Sequence, residues 1–64
     1  MNAVIEEDSE WYVRKPGNNK LSLVKINAVT QHTVTLIDIG AMTPKEEQYK
    51  INDICFVEEL ENDK

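Results

Sequence analysis

Residues 21–40, LSLVKINAVTQHTVTLIDIG, constrain this chain more than any other segment. Its branched apolar and Thr content, with a polar break at Thr30-Gln31-His32, predicts two β-strands, 21–29 and 33–39, around a tight turn. Both strands violate the two-residue period of a strand with one buried face. Leu21 and Leu23 are apolar at odd positions, then Val24, Ile26 and Ala28 at even ones. Val34 and Leu36 are even, then Ile37 and Ile39 odd. The adjacent pairs Leu23-Val24 and Leu36-Ile37 mark where each pattern changes side. With the turn at 30–32, Ala28 is expected opposite Val34, Ile26 opposite Leu36 and Leu23 opposite Ile39, so the apolar sets match across the hairpin. Val29 and Ile37 fall outside those sets, toward a second layer or solvent. The pattern predicts a bulge or sharp coil in each strand, hence a strongly bent sheet closing into a barrel.

The remaining elements are short. Residues 10–15, EWYVRK, predict a strand with Trp11 and Val13 on one face and Tyr12 and Arg14 on the other. Pro16-Gly17-Asn18-Asn19 ends it as a turn, since Pro presets one dihedral and Gly and Asn tolerate positive φ. Residues 41–47 form a connection. A helical turn near 44–48 is an option, with Thr43 as N-cap, Pro44 at the first position and Glu46 at capping-box spacing. Residues 48–51 and 54–60 read as the last two strands, joined through Asn52-Asp53 by a two-residue turn or a single 3₁₀ turn.

At 64 residues the chain makes one domain, and one this small buries only about 60% of its unfolded surface. The expected core is Trp11, Val13, Leu23, Val24, Ile26, Val29, Val34, Leu36, Ile37, Ile39, Ile51, Ile54, Phe56 and Val57. A buried cofactor pocket, typically about 300–1,000 Å³, is not expected beside it. Cys55 is the single cysteine, so no internal disulfide can form; it reads as a small core residue, and its solitude favours a reducing, cytoplasmic compartment. The acidic start, MNAVIEEDSE, is unlike a signal peptide, and no apolar run reaches the ~18–20 residues that cross a membrane.

Net charge is −5, which opposes general affinity for nucleic acid or anionic membrane. Its distribution is uneven. Residues 1–10 carry four acids and no base, 11–37 carry Arg14, Lys15, Lys20 and Lys25 and no acid, and 38–64 carry eight acids against three lysines. Such segregation signals either a binding surface or attraction between parts of one sheet, and the second is favoured.

No catalytic or metal-binding motif appears. His32 falls in the turn, away from any orienting carboxylate or nucleophile. One His and one Cys give no ligand spacing. The pairs Glu6-Glu7, Glu46-Glu47 and Glu58-Glu59 are sequence neighbours, which point to opposite sides of a strand. Two surfaces are better candidates. Tyr12, Arg14, Lys15, Lys20 and Tyr49 would form a mixed aromatic–basic patch, suited to a protein partner, where Tyr and Arg are enriched, or to stacking on single-stranded nucleic acid, with Lys25 contributing. Glu6, Glu7, Asp8, Glu10, Glu58, Glu59 and Glu61 would form an acidic surface able to occupy a basic groove, as a DNA mimic does.

Residues 34–40, VTLIDIG, resemble the V-x-F-I-D-Y-G signature of Tudor-type SH3-like barrels, and the preceding Trp11-Tyr12 is similar to the W-Y strand of that family. The resemblance implies an SH3-like barrel. Its aromatic positions fall on Leu36 and Ile39, so it does not imply a methyl-lysine or methyl-arginine cage, which needs those rings. In type, though not in motif, small acidic single-domain chains also resemble bacteriophage accessory proteins, which implies a modulator of a host protein in the host cytoplasm.

The expectation is an all-β, non-enzymatic, five-stranded SH3-like barrel over residues 10–60, with a partly ordered acidic leader at 1–9, where residues 3–5 fit a short strand or one helical turn, and a disordered tail at 61–64. It binds and modulates another protein and takes no cofactor or metal. Nucleic-acid binding and acidic DNA mimicry are the alternatives, and edge strands could pair two copies.

Overall fold

The computed structural model describes residues 5–60. The expected tail, Glu61 and most of the 3–5 segment lie outside them. Five strands form one antiparallel sheet: β1 Glu10–Arg14, β2 Leu21–Val29, β3 Thr33–Asp38, β4 Glu46–Lys50 and β5 Cys55–Leu60, in the order β4-β3-β2-β1-β5. A single 3₁₀ turn, Ile51–Asp53, joins β4 to β5. The all-β class is as expected, but β4 and β5 do not pair, so the sheet is open where a barrel would close. No helical turn forms at 44–48. β4 already begins at Glu46, because pairing of Glu46, Glu47 and Gln48 with Ile37, Leu36 and Thr35 satisfies backbone that the capping box would have satisfied locally.

β2 is the longest strand and serves both halves of the sheet. Its residues 21–25 pair with β1 and its residues 24–29 with β3. The bend is not at the apolar doublets. Ile26 faces Leu36 as expected, but the register then slips, pairing Ala28 with Thr35 and Val29 with Val34 and leaving Asn27 as the bulged residue. A second irregularity falls between Tyr12 and Val13 against β5, leaving Val57 unpaired. The β2–β3 turn hangs on Thr30: its hydroxyl accepts from the backbone N–H groups of His32 and Thr33, while its own N–H donates to the Thr33 carbonyl at 2.8 Å.

One face of the sheet carries the core: Trp11, Val13, Val24, Ile26, Val34, Leu36 and Ile54. Trp11 meets Phe56 edge-on, with ring centroids 5.5 Å apart. Ile5, Val29, Tyr49 and Ile51 pack around this cluster. Residues 5–9 fold back against β2, where the Asp8 N–H donates to the Ile26 carbonyl and the Ile26 N–H to the Ser9 carbonyl. Four residues expected in the core are not there. Leu23 and Ile37 are half-buried on the opposite face, and Ile39 and Val57 are exposed. Cys55 is exposed as well. It alternates with Ile54 and Phe56, which take the core side, and it lies opposite Arg14 on the other. No helix among the described residues is long and apolar enough to cross a membrane.

Candidate functional site

Strand alternation separates the expected aromatic–basic patch into two places. Tyr12 and Arg14 stand on the outer face, opposite Leu23 and Leu21 of β2 and Glu58 and Cys55 of β5. Lys20 is exposed in the loop before β2. Lys15 and Tyr49 belong to the core side, where they meet through Glu47. Lys15 Nζ lies 3.0 Å from Asp38 Oδ2 and 3.1 Å from Glu47 Oε1, and the Tyr49 hydroxyl donates to the same Glu47 oxygen at 2.8 Å.

This network sits at the end of the core. Asp38 is opposite Val24, and Glu47 is opposite Leu36, both core positions. Lys15 is only 14% exposed, and burial works against its ammonium charge; the hydrogen bonds to Asp38 and Glu47 outweigh that and raise its pKa. The Tyr49 hydroxyl, then Lys15, hold the Glu47 carboxyl below its usual range. Burial and the Glu47 acceptor push the Tyr49 phenol up. One cation thus bridges two carboxylates from different strands. The arrangement suits a clasp better than an acid–base pair, since both carboxylates are held as acceptors.

The outer face holds the more informative surface. Across it, Tyr12 pairs with Leu23 and Arg14 with Leu21. Leu23 continues toward β3, where its carbonyl accepts from the N–H groups of Ile39 and Gly40. Leu21 is 48% exposed and Ile39 36%. The sides of this apolar strip carry charge of both signs. Glu10 faces Lys25, which faces Ile37, which faces Glu46; Glu58 flanks Tyr12. Leu23 and Ile39, expected in the core, lie outside it on the face they share with Leu21, and the break in period at odd positions is the sequence signal for that placement. The Asp38 and Glu47 partnership with Lys15 had no local signal, because it spans 23 and 32 residues of sequence.

The acidic residues divide similarly. Glu6, Glu7 and Asp8 lie exposed in the turn before β1, and Asp8 approaches Lys25 at 4.0 Å. Glu58 and Glu59 lie exposed on β5, opposite Tyr12 and Trp11, beside half-buried Glu10. Acids from both ends of the sequence therefore meet bases of its middle, as attraction within one sheet predicts: Asp8 with Lys25, and Asp38 and Glu47 with Lys15. Among the described residues no group of three or more His, Cys, Asp or Glu side chains is placed to hold a metal ion. Compared with family models, with curated proteins and with solved structures, the chain matches none.

Proposed function

We propose that this chain is a non-enzymatic binding domain, an SH3-like sheet left open at one seam, which recognises another protein through its outer face. The carrying observation is the strip Tyr12, Leu23, Leu21 and Ile39 on the solvent side of the sheet, with Arg14 beside it. An antiparallel sheet facing water normally presents polar residues at such positions. Apolar strips with a Tyr, an Arg and a charged rim are the composition of protein-binding hot spots. Binding there would modulate the partner by occupying its surface, the mode that the phage-accessory resemblance implies.

Two observations favour a protein over nucleic acid. Lys15 is already matched by two carboxylates, and Lys25 faces Glu10 and approaches Asp8. Arg14 and Lys20 are then the bases left near Tyr12, against Glu58, a weak footprint for a polyanion. The edges disfavour a second copy as partner. β4 presents Glu46, Glu47 and Lys50, while β5 carries Glu58 and Glu59 and is bulged at Val57, devices that blunt edge pairing.

The test is affinity capture from nuclease-treated lysate of the source cells, comparing the native chain with Leu21→Lys. The proposal expects a protein enriched by the native chain and lost with the variant. Enrichment that is equal for both, or that disappears on nuclease treatment, refutes it.

A further inference from the structure

A cavity of about 360 Å³ opens away from both the outer-face strip and the Lys15 network, where the β2–β3 turn meets the end of β4 and the 3₁₀ turn. Gln31, His32, Thr33, Lys50, Ile51 and Asn52 line it. Its volume lies at the low end of small-molecule sites, about 300–1,000 Å³. Its walls are tied together: Thr33 and Lys50 face each other in the β3–β4 register, and the Ile51 N–H donates to the His32 carbonyl at 2.8 Å.

The lining chemistry is unlike that of the chain as a whole. The sequence holds 12 Asp and Glu against seven Lys and Arg, yet no carboxylate lines this cavity. Lys50 supplies a positive charge. Gln31, Asn52 and either tautomer of His32 can each donate a hydrogen bond. Among the described residues none of these four side chains has a hydrogen-bond or ion-pair partner within the fold, whereas Thr33 shares its hydroxyl with Thr30. Ile51, which packs against the core, adds an apolar wall. All four of these donors are exposed, and donors that line one concavity together with a cation and an apolar wall fit a ligand with an oxyanion head and a small apolar body.

We infer that this cavity is a binding site for a small organic oxyanion, a carboxylate or phosphate monoester held by Lys50, His32, Gln31 and Asn52 with its body against Ile51. The site shares no residue with the strip of Tyr12, Leu21, Leu23 and Ile39, so each can fail without the other.

The test is titration of the ¹⁵N-labelled full chain with phenyl phosphate, benzoate, sulfate and phenol, followed by amide shifts. Saturable shifts centred on residues 31–33 and 50–52 are expected with phenyl phosphate or benzoate, weaker ones with sulfate and none with phenol. Lys50→Gln should weaken the binding roughly tenfold, the value of one charge-assisted hydrogen bond, while Arg14→Gln leaves it unchanged. Shifts that do not saturate, that centre on Arg14 and Lys20, or that persist unchanged in Lys50→Gln overturn the site. Binding of phenol overturns the anion, and sulfate binding as tightly as phenyl phosphate overturns the organic body.

Discussion

Lys15 Nζ lies 3.0 Å from Asp38 Oδ2, although β2 runs between their strands. A flat sheet would hold residues two strands apart at roughly 10 Å. The long Lys15 side chain and the Asp38 carboxylate together reach across that gap on the core face. Asp38 also secures the turn that follows β3, since its Oδ1 accepts from the Gly40 N–H at 3.2 Å. The acidic residue of the VTLIDIG segment thus ties the Lys15 clasp to the end of the strand.

Replacing Lys15 should loosen this clasp. Lys15→Met leaves Asp38 and Glu47 facing each other at the edge of the core. Hydrogen bonds to charged groups contribute about 1.5–3 kcal/mol when buried, and partial exposure of both carboxylates reduces this. A loss of about 1–2 kcal/mol in urea unfolding is expected. Lys25→Met, whose pair with Asp8 is exposed, should cost less than about 0.5 kcal/mol.

The same network sets how stability depends on pH. The Glu47 pKa is lowered in the fold, so its contribution is complete above the ordinary value of 4.5 and lost as pH falls through the lower folded value. Lys15 and Tyr49 are raised, so theirs are complete below the ordinary 10.5 and 10.0 and lost as pH rises through the folded values. The urea midpoint should therefore hold level between these limits and fall on both sides. Glu47→Gln should remove this residue's share of the acid-side fall. A midpoint that rises on acidification below the carboxylate range would contradict the assignment.

The two faces of the sheet should respond oppositely to truncation. Leu36 is 1% exposed on the core face, and Leu36→Ala should cost about 2–5 kcal/mol, enough to leave so small a domain largely unfolded. Leu21→Ser, on the outer face, should stay within about 0.5 kcal/mol of the native chain. Thermal melts of the two variants make the comparison.

Two turns rest on left-handed backbone. Gly17 has φ +75° and Asp8 φ +71°. Gly17→Ala should destabilise by about 1 kcal/mol, although no atom obstructs the added methyl. Asp8→Gly relieves the conformational cost and should be close to neutral, whereas Asp8→Val should be worse than either. Denaturant midpoints order the three.

What was legible in the sequence followed from alternation and turn chemistry. The strands, the stop at Pro16-Gly17, the pairing of Ile26 with Leu36 and the opposite facing of Trp11 and Tyr12 all follow from side chains whose period is local. The position of the bulge was not legible. Asn27 is the polar residue of an apolar run, and the slip around it shifts Val29 opposite Val34, which no two-residue count foresees. Leu23 and Ile39 are expected in the core only if apolar character is equated with burial, whereas a large share of any folded surface is apolar. Lys15 is grouped with Arg14 by adjacency in the sequence, and its partners 23 and 32 residues away emerge only once the strands are assembled into the sheet.

The most direct test of the outer face as the working surface is site-specific photocrosslinking in the source cells. A photoreactive residue replaces Leu21 in one version of the chain and Gln48, exposed at the far side of the same face, in another. The proposal predicts a crosslinked protein of a second kind from position 21 and little or none from position 48. Equal crosslinking from both positions, or crosslinks from position 21 only to further copies of this chain or to nucleic acid, would contradict it.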